Sequence, residues 1–255
     1  MGTKDIFKLD LIDRKILLEL DKNCRQPEKH IAKAVGRSRE SVKYRIQQLE
    51  KKGIIDGYLT TINPNKFGYH LFKIFLQVEN IEEEREKLVD YLKSKEQIYW
   101  MGLSEGNWDM AFATYAKNQV EFYEIKNDLL TKFNHIIVKM ATGELVDVHQ
   151  YLKNFLLPQK FETIKEWDKT LLWGNVTEEN NLDKIDKKIL QILSNNARIP
   201  ITKLAREVKS TASIVRSRIK RLEELDIIQA YRIALDLNKL GLEFFKAIIY
   251  LKKLP

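Results

Sequence analysis

The first constraint on this chain is internal: it carries one segment twice. Leu9-Asp10-Leu11-Ile12-Asp13-Arg14-Lys15-Ile16-Leu17 returns, 173 residues later, as Leu182-Asp183-Lys184-Ile185-Asp186-Lys187-Lys188-Ile189-Leu190. Held at that offset without a gap, residues 9–77 and 182–250 are identical at 26 of 69 positions. Agreement of this extent marks a duplicated structural module, which has to be recognised before any fold is assigned. The repeat fills only part of each half. What lies between the copies, and after the second, determines how the module is used.

At 255 residues there is room for two or three compact domains. Hydrophobic residues make up 44% and charged residues 31%, the balance of a water-soluble globular chain. No apolar run approaches the ~18 residues of a membrane helix. The start, Met1-Gly2-Thr3-Lys4-Asp5, lacks the apolar stretch of a signal peptide. A lone cysteine, Cys24, leaves no internal disulfide to form. These features point to the cytoplasm, with no membrane partner. The net charge of +8 is segregated. Residues 1–62 carry 14 Lys/Arg against 9 Asp/Glu, and residues 182–237 carry 12 against 7. Residues 68–155 reverse the sign, with 10 against 14. Two basic copies around an acidic middle suggest two modules that face a polyanion and one that does not.

Each copy reads as three helices followed by a β-prone stretch. Ile12, Ile16, Leu17 and Leu20 share one helical face, and Asp10 is placed to cap that helix. Pro27 suits the first turn of a second helix through Ile31, Ala32 and Val35. Gly36-Arg37-Ser38 makes a tight turn, with Gly36 free to take the left-handed conformation. Ser38 caps a third helix carrying Val42, Ile46 and Leu49, which Gly53 ends. Ile54–Ile62 then reads as a hairpin turning at Asp56-Gly57. A short helix, a tight turn and a longer helix form a helix-turn-helix, and a trailing hairpin makes it winged. The third helix would read DNA, with Glu40, Lys43, Tyr44, Gln47 and Gln48 outward. In the second copy Val215, Ile219 and Leu222 point inward, and Ser213, Arg216, Ser217, Lys220 and Arg221 outward. Arg37, Ser38, Arg39, Ser210 and Thr211 sit at the helix starts, where amides and side chains hold phosphate. A solvated basic face is the plain alternative for one helix alone. Two copies with turn, cap and basic surplus in the same order favour double-stranded DNA. The copies are not interchangeable. Lys209 replaces Gly36 and Asp226 replaces Gly53, so both turns lose their permissive residue. The reading faces differ as well, which implies different base preferences, or one specific copy and one that mainly grips phosphate.

Residues 70–155 alternate strand and helix signals: Phe72–Val78, Glu82–Lys95, Ile98–Leu103, Trp108–Tyr115, Asn118–Phe133 and Ile136–Val148. The order βαββαβ gives a four-stranded antiparallel sheet with both helices on one face. Its other face still carries apolar side chains, so a partner sheet is expected, in a homodimer or higher homo-oligomer.

Leu-Asp-x-x-Asp-x-x-Ile-Leu opening a helix, Asn-x-Arg-x-Pro before the second, Val-x-x-Arg-Ile-x-x-Leu-Glu in the third and Ile-Ile-x-x-Tyr after it resemble the Lrp/AsnC transcription factors. Gly106-Asn107-Trp108-Asp109 resembles that family's Gly-x-aromatic-Asp hairpin. The resemblance implies a winged helix that binds operator DNA. It also implies a ferredoxin-like domain that dimerises and senses a small effector, often an amino acid. Ser104, Glu105, Gly106 and Asp109 are the candidate effector-binding residues, against the alternative of a plain β-turn.

The expected fold is α+β, with two winged helix-turn-helix domains flanking one ferredoxin-like βαββαβ sensor. The domains would be 1–66, 67–155 and 182–241, with 156–181 as linker. Residues 242–255, containing the apolar run Phe244–Leu251, would be the first strand of an incomplete second sensor. Trp167 and Trp173 of the linker are expected to pack. His30, His70, His135 and His149 show no metal-ligand spacing, and Cys24 has no catalytic partner, so no cofactor, metal or catalytic residue is assigned. A DNA-binding regulator is thus the leading reading, and not an enzyme. Two alternatives stand beside it: a sirohaem decarboxylase on the same scaffold, and a chromatin-like binder tolerant of sequence.

Overall fold

The structure, a computed structural model, describes residues 6–157, the backbone of 171–174, and residues 179–250. In the first copy the helices are α1 (Leu11–Lys22), α2 (Glu28–Val35) and α3 (Arg39–Lys51), followed by strand β1 (Ile55–Ile62). The middle contributes β2 (His70–Val78), α4 (Glu82–Lys93), β3 (Ile98–Leu103), β4 (Met110–Ala116), α5 (Gln119–Phe133) and β5 (Ile137–Glu144). Two short strands follow, β6 (Asp147–Gln150) and β7 (Leu171–Gly174). The second copy is α6 (Lys184–Asn195), α7 (Ile201–Glu207), α8 (Ala212–Glu224) and β8 (Ile228–Leu235).

The repeat sets the same local structure twice. Asp10 accepts from the Asp13 amide at the start of α1, and Asp183 accepts from the Asp186 amide at the start of α6. Ser38 and Thr211 cap α3 and α8 in the same way. Gly36 and Gly53 take positive φ after their helices, and Lys209 and Asp226 hold that conformation at the equivalent positions. For a side chain bearing Cβ the left-handed region costs about 1–2 kcal/mol. The second copy therefore keeps the turns of the first at a local cost.

The hairpin expected after each third helix is absent. β1 continues through Asp56-Gly57 with a register irregularity at Asp56 and no turn, and Gly57 is not among the left-handed glycines that a tight hairpin turn requires. Instead β1 pairs antiparallel with β8, the same strand of the other copy. Ile55 lies opposite Leu235 and Ile62 opposite Ile228; Tyr58 lies opposite Ile233 and Thr60 opposite Tyr231. Each pair is the other shifted by the repeat offset, so the two copies are related by a pseudo-two-fold axis. The axis passes through Leu59 and Arg232, which are equivalent residues facing each other. A strand finding a full-length partner across this axis makes more ladder bonds than one folding back on itself after two residues.

The strands are also exchanged. β8 packs on α1 and β1 packs on α6, so each copy's strand covers the other copy's first helix. The result is one core. Ile16, Leu17, Leu20, Ile31, Leu49 and Ile54 of the first copy, all but fully buried, share it with Ile189, Leu193, Leu204, Val215, Leu222 and Ile227 of the second. Each such side chain contributes roughly 1.5–3 kcal/mol by its burial. Leu156 joins this core from the segment that follows β6.

The middle forms a four-stranded sheet in the order β3-β4-β2-β5, antiparallel throughout. Phe72, Ile74, Leu76, Met110 and Phe112 face α4 and α5, meeting Leu88, Leu92, Phe122 and Leu129 in a separate core. Phe72 stacks on Phe122 with ring centroids 4.1 Å apart. The opposite face presents Lys73, Phe75, Trp100 and Trp108. Lys246 lies 3.9 Å from the centre of the Trp100 ring and 5.9 Å from that of Phe75. Residues 242–250 thus reach this face but form no strand, contrary to the expectation of a first strand there; Leu251 lies outside the described residues. The segment 156–181, expected as a linker, contains β7, which pairs with β6. Trp167 and the Trp173 side chain lie outside the described residues. Among the described residues no helix is long and apolar enough to cross a membrane.

Two outcomes follow from this architecture. Lys209→Gly should stabilise the protein by about 0.5–1 kcal/mol, seen as a higher Tm, because the strain at φ 55° is relieved and the entropy cost of glycine offsets part of the gain. Thr61→Cys with Ala230→Cys, directly opposite in the ladder, should form an intramolecular disulfide on oxidation that speeds migration on a non-reducing gel. Hairpins closed within each copy would leave these thiols unlinked.

Candidate nucleic-acid interface

Each third helix is held on its first helix by a repeated ion cluster. Arg45 of α3 donates to Asp10 and Asp13 at 2.6 and 2.7 Å, and Arg218 of α8 donates to Asp183 and Asp186 at 2.6 and 2.9 Å. The Asp186 amide and the Arg218 guanidinium hold the Asp183 carboxyl below its ordinary pKa. With that anchor fixed, Val42, Ile46 and Leu49 point into the core, as do Val215, Ile219 and Leu222. The opposite faces are open. Arg37, Ser38, Arg39, Glu40, Lys43, Tyr44 and Gln47 are exposed in the first copy. Thr211, Ser213, Arg216, Ser217 and Lys220 are exposed in the second, and Ser210 is half-buried.

Several expected contacts already have partners. Arg221, exposed as expected of the outward set, also bonds Asp186 at 3.1 Å and the Asn181 carbonyl, so it braces α8 against α6. Ser38 and Thr211 spend a hydroxyl lone pair on helix amides. Arg39 pairs with Glu28 at 3.5 Å, and Arg37 donates to the Gly36 carbonyl. Ile214, on the leading turn of α8, is 46% exposed and was not among the expected contact residues.

The two helix sets are locked by matched contacts across the axis. The Cys24 amide donates to the Tyr231 carbonyl and the Ala197 amide to the Tyr58 carbonyl. The Tyr58 hydroxyl donates to Glu50 and the Tyr231 hydroxyl to Glu223, each at 2.6 Å. Arg25 lies over the Tyr231 ring and Arg198 over the Tyr58 ring. Cys24 is buried here, which pushes its thiol up to about 12.

One feature breaks the symmetry. Arg232, on the axis and 4% exposed, makes a two-pronged bond to fully buried Asp21 at 3.0 and 2.7 Å. Lys153 also bonds Asp21 through its ammonium and its amide, and the Tyr151 carbonyl accepts from Arg232. The equivalent positions hold Ser194 and Leu59. Residues 151–156, which follow the middle sheet, are thereby tied to one side of the helix pair alone. Burial works to raise the pKa of Asp21, but Arg232 and Lys153 outweigh it and hold the carboxyl below its usual value.

The candidate effector hairpin sits between β3 and β4. Ser104 donates to the Trp108 carbonyl, and the Asp109 carboxylate accepts from the Val78 amide at 2.9 Å. Glu105 and Gly106 are exposed at the tip, Gly106 with φ 129°. His70, His135 and His149 each pair with a carboxylate, and among the described residues no group of three metal-ligating side chains occurs.

Known proteins agree with this geometry. Residues 182–223 match the AsnC-type helix-turn-helix domain, and residues 9–56 match a winged helix-turn-helix DNA-binding model. The transcriptional regulator LrpA of Pyrococcus abyssi is 34% identical over 128 residues, covering 50% of this chain and 90% of LrpA. The regulator Ptr1 of Methanocaldococcus jannaschii is 33% identical over 104 residues, covering 40% of this chain and 68% of Ptr1. Among solved structures, a Neisseria meningitidis transcriptional regulator in complex with L-Met aligns with TM-score 0.52 at 20% identity, over 59% of this chain and 100% of that one. The sirohaem decarboxylase NirDL aligns with TM-score 0.56 at 13% identity, over 88% of this chain and 65% of that one; at such identity the likeness is one of fold. The molecule is a helix-turn-helix DNA-binding protein of mixed α+β fold. It belongs to the Lrp/AsnC family of transcriptional regulators.

Asp21→Ala should destabilise the protein by about 3–5 kcal/mol, since it strands a buried guanidinium. Asp21→Ser with Arg232→Leu, copying the equivalent positions, should recover most of that loss in a denaturant titration. A depressed carboxyl pKa contributes stability above its unfolded value of about 3.9 and loses it as pH falls through the folded value. The double variant should therefore show a shallower loss of stability below about pH 4 than the parent.

Proposed function

We propose that this regulator is a single-chain, two-headed operator reader, with residues 1–66 and 182–241 as paired winged helix-turn-helix modules flanking the sheet of residues 67–155. The observation that carries this reading is the β1–β8 ladder, which fixes the two reading helices about a common axis. Helix-turn-helix pairs read two half-sites related by their own symmetry. Here the faces differ: Glu40, Lys43, Tyr44 and Gln47 on one side, Ser213, Arg216, Ser217 and Lys220 on the other. The operator would then have two unlike half-sites, with Arg216 and Lys220 on one and Ile214 against a thymine methyl. Recognition of unlike half-sites within one chain favours sequence-specific regulation over a sequence-tolerant chromatin role.

The middle sheet would serve as sensor. The Neisseria relative is described with L-Met, which makes an amino acid the first effector to test. The tip residues Glu105 and Gly106 are available to a ligand, while Ser104 and Asp109 shape the loop. Phe244, Phe245, Ile249 and Tyr250 stand exposed on the segment whose Lys246 reaches the open sheet face, and this apolar surface supports self-association. One competing reading is an enzyme on the same scaffold, with which NirDL shares its fold. Titration with an iron porphyrin separates the two: an absorbance shift without DNA affinity would support the enzyme.

Arg216→Ala with Lys220→Ala should weaken operator binding and lower the salt slope of log K by about two, one per lost phosphate contact. Binding equal to the parent at every salt concentration would remove α8 from the interface.

A further inference from the structure

We infer that an open cleft on the pseudo-two-fold axis holds the DNA backbone at the centre of the operator, across the minor groove between the half-sites. The inference rests on the operator reading above and adds a contact centred outside both reading helices, with Arg39 of α3 at its edge. The cleft, of about 490 Å³, opens where the chain enters α2 and α7. Arg25 and Arg198, and Pro27 and Pro200, line it from equivalent positions, so it straddles the axis. Lys29 and Arg39 add two cations, against one carboxylate, Glu28. Cations gathered round an open cleft repel one another, and a polyanion offsets that repulsion.

The place of the cleft fits DNA. Arg39 is both a wall of the cleft and the first residue of α3, and leading residues of a reading helix are those that meet base edges. DNA held by α3 and α8 therefore passes in front of the cleft. With reading helices in successive major grooves on one face, about one helical turn apart, the groove facing the protein midway is the minor one. Arg25 and Arg198 are already fixed there. Arg25 donates to the Ala197 carbonyl, Arg198 donates to the Tyr58 hydroxyl at 3.2 Å, and each lies over a tyrosine ring. Fixed cations lose little side-chain freedom on binding. The cleft is lopsided: Glu28, Lys29 and Arg39 correspond to Ile201, Thr202 and Ala212. The DNA strand nearer the first copy gains the additional contacts.

The test is a footprint of the full chain on a DNA fragment selected by the parent from a random-sequence pool. Hydroxyl-radical cleavage should be suppressed at the centre, between two flanks of guanine N7 protection from methylation. Lys29→Gln, on an exposed side chain, should weaken central protection and lower the salt slope by about one while both flanks persist. Adding Arg198→Gln should abolish central protection, with circular dichroism confirming the fold. Flanks present with a centre cleaved as in free DNA would overturn the inference alone. Central protection and a salt slope unchanged by Lys29→Gln would overturn it too, without depending on the Arg198 variant. Inorganic phosphate that raises the Tm of the parent without central protection on DNA would mark a small-anion site and overturn it. A parent that selects no DNA would overturn the operator reading along with it.

Discussion

The exchange of β1 and β8 is the interaction on which the other features depend. Each strand covers the first helix of the opposite copy, so neither copy closes its core alone. Two helix-turn-helix units become one folding unit with a fixed mutual orientation. In the proposed operator complex, their reading helices would engage two half-sites without a further association step. The matched contacts of Tyr58 with Arg198 and Tyr231 with Arg25 refine that orientation, and the shared core enforces it.

Symmetry is broken where the middle sheet joins the pair. Asp21, Arg232 and Lys153 make a buried ion cluster on one side of the axis, and Leu156 fills the core beside it. Taking these charges out of water is costly, and only their mutual bonds compensate. Such a cluster tolerates few geometries. It therefore ties residues 151–156, and through them the sheet, to the first copy in a defined pose. A change at the sheet would reach the helix pair by this route.

The second copy keeps the backbone of the first while altering its chemistry. Lys209 and Asp226 hold left-handed turns that glycine takes more easily. Arg216, Lys220 and Ile214 make a reading face unlike that of Glu40, Tyr44 and Gln47. Shared positions lie in the core, the caps and the Arg45 and Arg218 anchors. Divergent positions include the exposed faces of α3 and α8 and, in the core, Asp21 and Arg232. Packing constrains the shared core positions, and the exposed faces are free of that constraint.

Much of this was legible in the chain. The helices, their caps, the inward and outward faces of α3 and α8, and the strand and helix order of the middle follow from periodicity and capping, which are local. The partner of β1 was not legible. Asp56-Gly57 is a sound hairpin signal, and only a second β-strand brought to the same axis displaces that turn. Nor could sequence show that Arg221 would also bond Asp186, that Asp21 and Arg232, 211 residues apart, would pair in the core, or that Arg25 and Arg198 would line one cleft. These contacts join residues far apart along the chain. A sequence determines local structure through near neighbours, whereas pairing across an axis is decided by the free energy of the assembled core.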